Sequence, residues 1–180
     1  CQTSYSTTIQ IRDFPGVPVL AYDQDTFCRD SVAPVPLVGT DSVGVFIASA
    51  GVTFLNPVSG AIDLTLTPPG GPYWVRFDIS NPCAVDPIDT LYIMDAPLLS
   101  LSYPLEEVCQ GEPEITPTVE VVPSGQIEFN APAGLFIDSA GGVLPVLSQP
   151  GSYEVGASTL GICPTTTNAN LTIFPKPQFP

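Results

Sequence analysis

An eleven-residue segment occurs three times in this chain and constrains its fold more than any other feature. The copies read CQTSYSTTIQI at Cys1–Ile11, CAVDPIDTLYI at Cys83–Ile93 and CPTTTNANLTI at Cys163–Ile173. Each begins with Cys, ends in an apolar–polar–Ile alternation typical of a β-strand, and is followed by a Pro four residues later. The copies begin 82 and then 80 residues apart. A fixed period of this size predicts a tandem array of similar units.

The sequence between the copies also repeats. Tyr103 and Cys109 each follow their counterparts, Tyr22 and Cys28, by 81 residues. Further matches pair the segment Gly44–Ala48 with Gly125–Phe129, and pair single residues as Gly51/Gly134, Phe54/Phe136, Gly60/Gly142, Ile62/Leu144, Leu64/Val146, Tyr73/Tyr153 and Val75/Val155. We therefore predict a last strand of a preceding repeat at 1–16, repeats at 17–96 and 97–176, and the start of a following repeat at 177–180. On this interpretation the chain is a window on a longer array.

The repeats carry many short apolar segments separated by turns. The chain has 22 Pro and 15 Gly, and no stretch shows an apolar stripe of helical period. Two short strands are expected on either side of Gly51, and an alternating strand is expected in AIDLTLT at 61–67. In Tyr73–Ile79, Val75 and Phe77 are expected to face the core. The predicted fold class is all-β: tandem immunoglobulin-like β-sandwich repeats of about 80 residues.

The five cysteines occur at repeat spacing. Cys28 and Cys83 are 55 residues apart, and Cys109 and Cys163 are 54 apart. This predicts one disulfide in each repeat, Cys28–Cys83 and Cys109–Cys163, with Cys1 left unpaired in this stretch of chain. Each such loop would stabilise its repeat by roughly 4 kcal/mol, and paired cysteines indicate an oxidising compartment, secreted or at the cell surface. Free buried cysteines, and a lipid-modified Cys1, are the less favoured alternatives.

The charge balance limits the classes of partner that the chain is expected to bind. Four Lys and Arg face eighteen Asp and Glu, there is no His, and the net charge is −14. Nucleic-acid binding depends on neutralising phosphates, and docking on anionic lipid needs basic residues, so neither is expected. No run of eighteen apolar residues is present, which predicts no direct membrane insertion. A strongly acidic chain is soluble and leaves divalent cations as partners.

No catalytic constellation is recognisable in the sequence. There is no His for a triad, no nucleophile elbow, no phosphate-binding glycine loop and no Cys/His cluster for zinc. The carboxylate pairs are expected to be solvated loop residues: Asp23/Asp25, Asp86/Asp89 and Glu106/Glu107. We predict that the chain is not an enzyme and has no catalytic residue, metal site or cofactor. Calcium, held by hard oxygen ligands at Asp23, Asp25, Asp86 or Asp89, is the alternative.

The repeat motif resembles a known family. It runs Tyr-x5-Cys, Gly with a following Phe, Gly-x-Ile/Leu, Tyr-x-Val, and Cys-x9-Ile. The first repeat carries it on Tyr22, Cys28, Gly51, Phe54, Gly60, Ile62, Tyr73, Val75, Cys83 and Ile93. The second carries it on Tyr103, Cys109, Gly134, Phe136, Gly142, Leu144, Pro150, Gly151, Tyr153, Val155, Cys163 and Ile173. The pattern is similar to the tandem Ig-like (PKD-like) repeats of giant secreted surface proteins of Bacteroidota, such as gliding-motility adhesins.

This resemblance implies export, commonly by the type IX system, and spacer modules without catalytic residues. Asp-Ser/Thr-apolar triplets resemble the O-glycosylation motif of the same bacteria, which makes Ser31, Ser42, Thr90 and Ser139 candidate glycan acceptors. Asn170-Leu171-Thr172 is also an N-glycosylation sequon.

The function predicted from the sequence is mechanical. The chain is expected to be a spacer segment of a long, secreted cell-surface adhesin or filament protein. Its expected partners are neighbouring repeats of the same chain and other copies in a filament. Two alternatives remain open: an extracellular binding module that recognises glycan or a protein, and an accessory stalk on a secreted enzyme.

Overall fold

The fold is an array of β-strands arranged in two compact units. The structure, a computed structural model, describes residues 4–11, 18–39, 43–80 and 83–177. The chain divides into Cys1–Met94 and Asp95–Pro180. Every regular element in the described ranges is a strand, which confirms the predicted all-β class. None of these ranges contains a helix long and apolar enough to cross a membrane.

The first unit has eight strands. They are β1 (Leu20–Ala21), β2 (Thr26–Cys28), β3 (Leu37–Val38), β4 (Gly44–Ala48), β5 (Phe54–Asn56), β6 (Ala61–Ile62), β7 (Gly70–Ile79) and β8 (Ile88–Met94). Its main sheet has the order β2-β8-β7-β4, and β1-β3 and β5-β6 are smaller two-stranded sheets. β2 runs parallel to β8, whereas the other pairs are antiparallel. The arrangement is an immunoglobulin-like sandwich.

The second unit repeats this design with six strands. They are β9 (Leu98–Ser102), β10 (Glu107–Cys109), β11 (Thr118–Val122), β12 (Ile127–Asn130), β13 (Gly151–Thr159) and β14 (Thr166–Phe174). The main sheet has the order β10-β14-β13-β12, and β9 pairs with β11. β10 again runs parallel to the closing strand β14. Both units therefore place their second strand, β2 or β10, parallel to the closing strand. We call β2 and β10 the entering strands.

The alternation predicted in β7 is confirmed. Val75, Phe77 and Ile79 are buried, whereas Trp74 is 41% exposed. Because successive side chains on a strand point to opposite faces, one face of β7 packs into the core. The closing strands supply the centre of each core through Leu91 and Ile93 in the first unit, and Leu171 and Ile173 in the second.

The strand predicted over 61–67 is wrong beyond Ile62. β6 contains Ala61 and Ile62, and a turn follows. The Asp63 carboxylate accepts hydrogen bonds from the N–H groups of Thr65 and Leu66, and the Asp63 carbonyl accepts one from the N–H of Thr67. A short Asp side chain that accepts hydrogen bonds from nearby backbone N–H groups favours a turn over strand pairing, and residues 63–67 therefore form a turn.

Structural equivalence between the units also corrects the sequence matching. Gly60 and Gly141 both have positive φ, 72° and 81°, and both accept a hydrogen bond from a Tyr hydroxyl. Ile62 and Val143 are both fully buried. Gly141, not Gly142, is therefore the counterpart of Gly60.

Neighbouring predicted pairs are also off by one residue, before the turn in the opposite direction. Thr53 and Phe136 are counterparts, since each donates its N–H to a buried hydroxyl, that of Thr67 or Ser148. The predicted pairs that are off by one residue are Phe54/Phe136, Gly60/Gly142, Ile62/Leu144 and Leu64/Val146. Gly44 opens β4 opposite Ile79 as Ile127 opens β12 opposite Thr159, so the match of Gly44 with Gly125 is wrong by two residues.

The chain ends bear on the predicted repeat boundaries. Residues 4–11 form no strand and are exposed, whereas a strand of a preceding repeat is predicted across 1–16. Residues 1–3, 12–17 and 178–180 lie outside the described residues. The boundaries 17–96, 97–176 and 177–180 stay predictions.

Candidate functional site: cysteines at the strand ends

The register of the first unit separates its two predicted disulfide partners. Cys28 is the last residue of β2 and lies opposite Met94, the last residue of β8. Cys83 lies beyond the opposite end of β8, five residues before that strand begins at Ile88. A seven-residue strand is about 20 Å long, whereas a disulfide needs Cα atoms roughly 4.4–6.8 Å apart. The predicted pairing of Cys28 with Cys83 is therefore wrong.

The second unit separates its pair in the same way. Cys109 ends β10 opposite Phe174, and Cys163 precedes the first residue of β14, Thr166. The nine residues of β14 span about 30 Å. Cys109 is a free, partly buried thiol, whereas Cys163 is disulfide-bonded. The predicted pairing of Cys109 with Cys163 is wrong, because equal spacing in the two copies reflects repetition of the unit and not contact within it.

Cys28 and Cys163 are the described cysteines that are disulfide-bonded. Cys163 is buried, with 7% of its surface exposed. Cys1, predicted to be unpaired, lies outside the described residues. Among the four described cysteines, neither within-repeat pairing predicted from the sequence is formed.

In each unit a buried tyrosine links two segments that are distant in the sequence. The Tyr22 hydroxyl donates a 2.7 Å hydrogen bond to the Gly60 carbonyl, and the Tyr103 hydroxyl donates a 2.7 Å bond to the Gly141 carbonyl. We name each contact the tyrosine latch. It joins the entering segment to a turn that lies 38 residues further along the chain.

The latch phenols are held in their neutral form. Burial raises the pKa of Tyr22, and the nearby Asp89 carboxylate raises it further. Burial likewise raises the pKa of Tyr103 to about 12, with a smaller contribution from Asp138. Removing water and adding a nearby negative charge both disfavour the phenolate.

Replacing Tyr22 with Phe is expected to destabilise the first unit by about 1–3 kcal/mol, because the buried Gly60 carbonyl loses its donor. Urea unfolding followed by Trp74 fluorescence measures this, since the chain has one Trp and it lies in the first unit. Tyr92→Phe, at a 46% exposed side chain, is the matched control and is expected to change stability by less than about 0.5 kcal/mol. Equal losses in both variants would contradict the latch.

The latch also predicts alkaline sensitivity. The pKa of Tyr22 is higher in the folded chain than the ordinary value near 10, so the folded state retains a proton that the unfolded chain releases. Its contribution to stability is complete below pH 10 and is lost as the pH rises toward the folded pKa. The Tyr22→Phe variant is therefore expected to show a shallower loss of stability above pH 10 than Tyr92→Phe does.

One of the predicted carboxylate pairs, Asp86 and Asp89, accepts hydrogen bonds from the backbone. The Asp89 carboxylate accepts hydrogen bonds from the N–H groups of Tyr22 and Thr90. The Asp86 carboxylate accepts one from the N–H of Ile79 and lies 3.7 Å from the guanidinium of Arg76.

The two other predicted pairs, Asp23/Asp25 and Glu106/Glu107, are exposed. Over the described ranges no three His, Cys, Asp or Glu side chains are grouped so that they could hold a metal ion. The four aspartates of the calcium alternative are thus not brought together as one ligand set.

Three of the four candidate O-glycosylation residues lie on the surface. Ser31, Thr90 and Ser139 are exposed, and Ser42 lies outside the described residues. The Asp of one triplet has a structural role as well, because Asp138 accepts hydrogen bonds from the N–H groups of Ala140 and Gly142. This turn accounts for the presence of Asp138 without a glycan. The exposed hydroxyls of Ser31, Thr90 and Ser139 are nevertheless accessible to modification.

The second unit has an open groove of about 680 Å³ next to the free thiol. Leu105, Val108, Ile115 and Phe174 line it together with Cys109. The groove places Cys109 beside apolar side chains at the end of β14 where the chain leaves the sandwich.

The buried hydroxyls of Thr67 and Ser148 were not identified from the sequence. Thr67 and Ser148 are 0% and 1% exposed. The Ser148 hydroxyl accepts a hydrogen bond from the N–H of Phe136 and donates one to the carbonyl of Leu144. The sequence signal was a Ser or Thr at the end of each turn that precedes the longest strand.

Comparison of this chain with known proteins gives matches among solved structures. No protein-family model matches it, and no curated protein does either. Among solved structures, it is similar to immunoglobulin domains 1–4 of Sidekick-1, at 11% identity and a TM-score of 0.46 over 91% of this chain and 50% of that one.

Two further structures are similar at the same level. The N-terminal eight Ig domains of DSCAM match at 10% identity and a TM-score of 0.49 over 89% of this chain and 25% of that one. Drosophila N-cadherin EC1–4 matches at 13% identity and a TM-score of 0.37 over 91% and 50%. The chain thus spans half or less of these structures. At such low values the assignment of the fold rests on the strand order and the cores described above.

Proposed function

We propose that the chain is a structural spacer segment of a long, secreted cell-surface adhesin or filament protein. One observation carries the proposal: both units place an entering strand parallel to the closing strand, β2 beside β8 and β10 beside β14. In a stretched array, tension acts on the N-terminal end of the entering strand and on the C-terminal end of the closing strand. These are opposite ends of a parallel pair, so the hydrogen bonds between the strands are sheared together rather than opened one by one.

The contacts around the parallel pair fit this role. In the second unit the N–H of Thr172 donates to the Glu106 carbonyl, and the N–H of Gln110 donates to the Phe174 carbonyl. In the first unit the N–H groups of Tyr92 and Arg29 donate to the Asp25 and Met94 carbonyls. Each pair is therefore bonded beyond its short strand, which extends the region that resists shear.

Composition supports an inert extracellular spacer. The net charge of −14 favours solubility and opposes non-specific aggregation. Through the resemblance in the sequence, we extend the proposal to export by the type IX system, a place in a gliding-motility type of adhesin, and glycans on Ser31, Ser42, Thr90 and Ser139. The proposed partners are adjacent repeats of the same chain and other copies in a filament.

Gln110→Pro tests the shear mechanism. Proline lacks the N–H that donates to the Phe174 carbonyl, so we expect the force that unfolds the second unit to fall in single-molecule pulling between the termini. The measurement is made in reductant so that no disulfide limits extension.

Gln110→Ala is the matched control. Both substitutions remove the side-chain hydrogen bond from Gln110 Nε2 to the Ser148 carbonyl, but alanine keeps the backbone N–H. An equal unfolding force in the two variants would contradict the shear mechanism.

A glycan array and a surface-protein array test the alternative of a binding module. The spacer proposal expects no saturable binding to the isolated chain. Saturable binding that is lost on replacing the exposed Trp74 would favour the binding module instead. The second alternative, a stalk on a secreted enzyme, predicts a catalytic domain elsewhere in the same gene product.

A further inference from the structure

The groove of about 680 Å³ beside Cys109 opens on one side of the second sandwich, and we call it the edge groove. One wall is β10, the edge strand of the four-stranded sheet, and the other wall is the segment 112–116. Val108 and Ile115 line the groove and belong to the core, at 4% and 7% exposed. The edge groove therefore gives access to core side chains from the open side of the sandwich.

The strand β10 leaves backbone groups on this open side. It bonds to β14 through the Glu106 carbonyl and the Gln110 N–H. Because the backbone groups of successive residues in a strand point to opposite sides, those of Glu107 and Cys109 point away from β14. The Cys109 carbonyl accepts a hydrogen bond from the Glu112 N–H. The two N–H groups and the Glu107 carbonyl are thus placed where an added strand would pair.

Three glutamates border the groove. Glu107, Glu112 and Glu114 are exposed, and we call them the rim glutamates. Lys176 is the only Lys or Arg in residues 95–180, so basic side chains in this unit do little to balance the rim charge. An apolar floor with an acidic rim is complementary to a segment that carries both apolar and basic side chains.

The first unit has an equivalent groove, which is smaller at about 430 Å³. Matching hydrogen bonds establish the correspondence, since the Ser31 N–H donates to the Cys28 carbonyl as the Glu112 N–H donates to the Cys109 carbonyl. The parallel registers of β2 and β10 on their closing strands also match, with each Cys opposite the last residue of the closing strand.

The two grooves differ at the positions that matter for a ligand. The larger Phe27 occupies the position of Val108, which accounts for the smaller space in the first unit. Among its described lining residues the first groove has one carboxylate, Asp23. Neutral residues replace all three rim glutamates in the first unit: Thr26, Ser31 and Ala33. Protection of sheet edges against aggregation would apply to both edges alike, so it does not explain this difference.

We propose that the edge groove binds an extended basic segment of a partner protein as an added strand on β10. The backbone of the segment pairs with the open groups of Glu107 and Cys109, and an apolar side chain packs on Val108 and Ile115. Its Lys or Arg side chains lie beside the rim glutamates. Such strand addition takes affinity from the main chain and specificity from side-chain contacts.

This docking site goes beyond the proposed spacer function. It requires an unpaired, extended segment, which the folded proteins of a surface-protein array do not offer. The absence of binding expected on that array therefore applies to folded partners, and a short peptide is the appropriate probe of the groove.

Titration of the whole chain with the peptide acetyl-Lys-Val-Lys-Val-Lys-amide tests the site. We expect the backbone amide signals of Glu107 and Cys109 to shift saturably in NMR spectra, and those of Thr26 and Cys28 in β2 to shift less. The peptide acetyl-Glu-Val-Glu-Val-Glu-amide keeps the apolar residues, reverses the charge and is expected to cause no saturable shift. No saturable shift with the lysine peptide at millimolar concentration, or equal shifts with both peptides, would overturn the proposal.

A third peptide separates strand addition from simple charge attraction. The lysine peptide with N-methylated backbone amides keeps its charge but lacks the N–H donors that an added strand needs. We expect it to lose the saturable shifts at Glu107 and Cys109. Shifts as large as those of the unmethylated peptide would contradict strand addition.

Two variants test the floor and the rim of the groove. Val108→Phe introduces the residue found in β2 and is expected to weaken binding of the lysine peptide roughly tenfold or more, because the apolar side chain loses its place. The double variant Glu112→Gln and Glu114→Gln is expected to weaken binding about three- to tenfold at low salt. It changes exposed side chains, so it tests the site even where Val108→Phe fails to fold.

Glu128→Gln is the matched control. Glu128 is exposed on β12, at the opposite edge of the same sheet, and is expected to leave the affinity for the lysine peptide unchanged. Equal affinities of the double variant and the unmodified chain, or an equal loss in Glu128→Gln, would overturn the role of the rim glutamates and with it the proposal.

The docking site and the spacer function fail separately. Resistance to pulling is measured without peptide, so a chain that resists force but does not bind the lysine peptide keeps the spacer function and loses the docking site. Low unfolding force together with saturable binding would give the opposite result.

Discussion

Replacing Leu91 with Ala is expected to destabilise the first unit by about 2–5 kcal/mol, a large fraction of the stability of a domain of this size. Leu91 is fully buried in the closing strand β8 and belongs to the core cluster that contains Val75, Phe77 and Ile93. The substitution removes buried apolar surface and leaves a cavity that a sandwich held by neighbouring strands can close only in part.

Urea unfolding followed by Trp74 fluorescence provides the measurement. Leu66→Ala, at a side chain that is 65% exposed in a turn of the same unit, makes the same chemical change outside the core. We expect its effect to stay within about 0.5 kcal/mol. Comparable effects of the two substitutions would show that Leu91 is not buried as described.

The sequence was sufficient for the fold class because two signals were strong and local. Alternation in β7 and in the closing strands identified the inward residues, such as Val75 and Leu91, and both are fully buried. Repetition then required that both units have the same architecture. The match of Tyr22 with Tyr103 as equivalent positions was also correct, since each hydroxyl donates a hydrogen bond to the carbonyl of an equivalent glycine.

Periodicity failed where local hydrogen bonds competed with it. AIDLTLT alternates as a strand does, but the Asp63 side chain caps a turn within it. The Asp63 pKa is lowered by its hydrogen bond from the Thr65 hydroxyl and by those from the backbone N–H groups of Leu66 and Thr65, which favour the charged carboxylate. Alternation alone does not reveal this turn, because Ile62 and Leu64 are buried in it as they would be on one face of a strand.

The disulfide prediction failed for a topological reason. Equal spacing tells which cysteines are equivalent, but it does not tell at which end of a strand each one lies. That information required the parallel register of β2 on β8, which sets Cys28 beside Met94 and far from Cys83.

Replacing Gly60 with Ala is expected to cost about 2–5 kcal/mol, from two causes that the chain allows to be separated. Gly60 has φ of 72°, a conformation that costs an L-residue roughly 1–2 kcal/mol. An added Cβ would also lie 2.7 Å from Phe46 Cε1 and 2.7 Å from Pro36 Cγ, inside the core, where overpacking costs about 1–3 kcal/mol.

Two other glycines of the same unit isolate these causes. Gly51 has φ of 99°, but an added Cβ there would come no closer than 3.5 Å to another atom, so Gly51→Ala measures backbone strain alone. At Gly39 the nearest atom is 3.6 Å away and φ is not positive, so Gly39→Ala should change stability by less than about 0.5 kcal/mol. The expected order of destabilisation by Trp74 fluorescence is Gly60, then Gly51, then Gly39. The Gly60 carbonyl also accepts the hydrogen bond from the Tyr22 hydroxyl. If Gly60→Ala lowered the free energy of unfolding no more than Gly51→Ala, the turn at Gly60 would have to change conformation without disturbing the core or the latch.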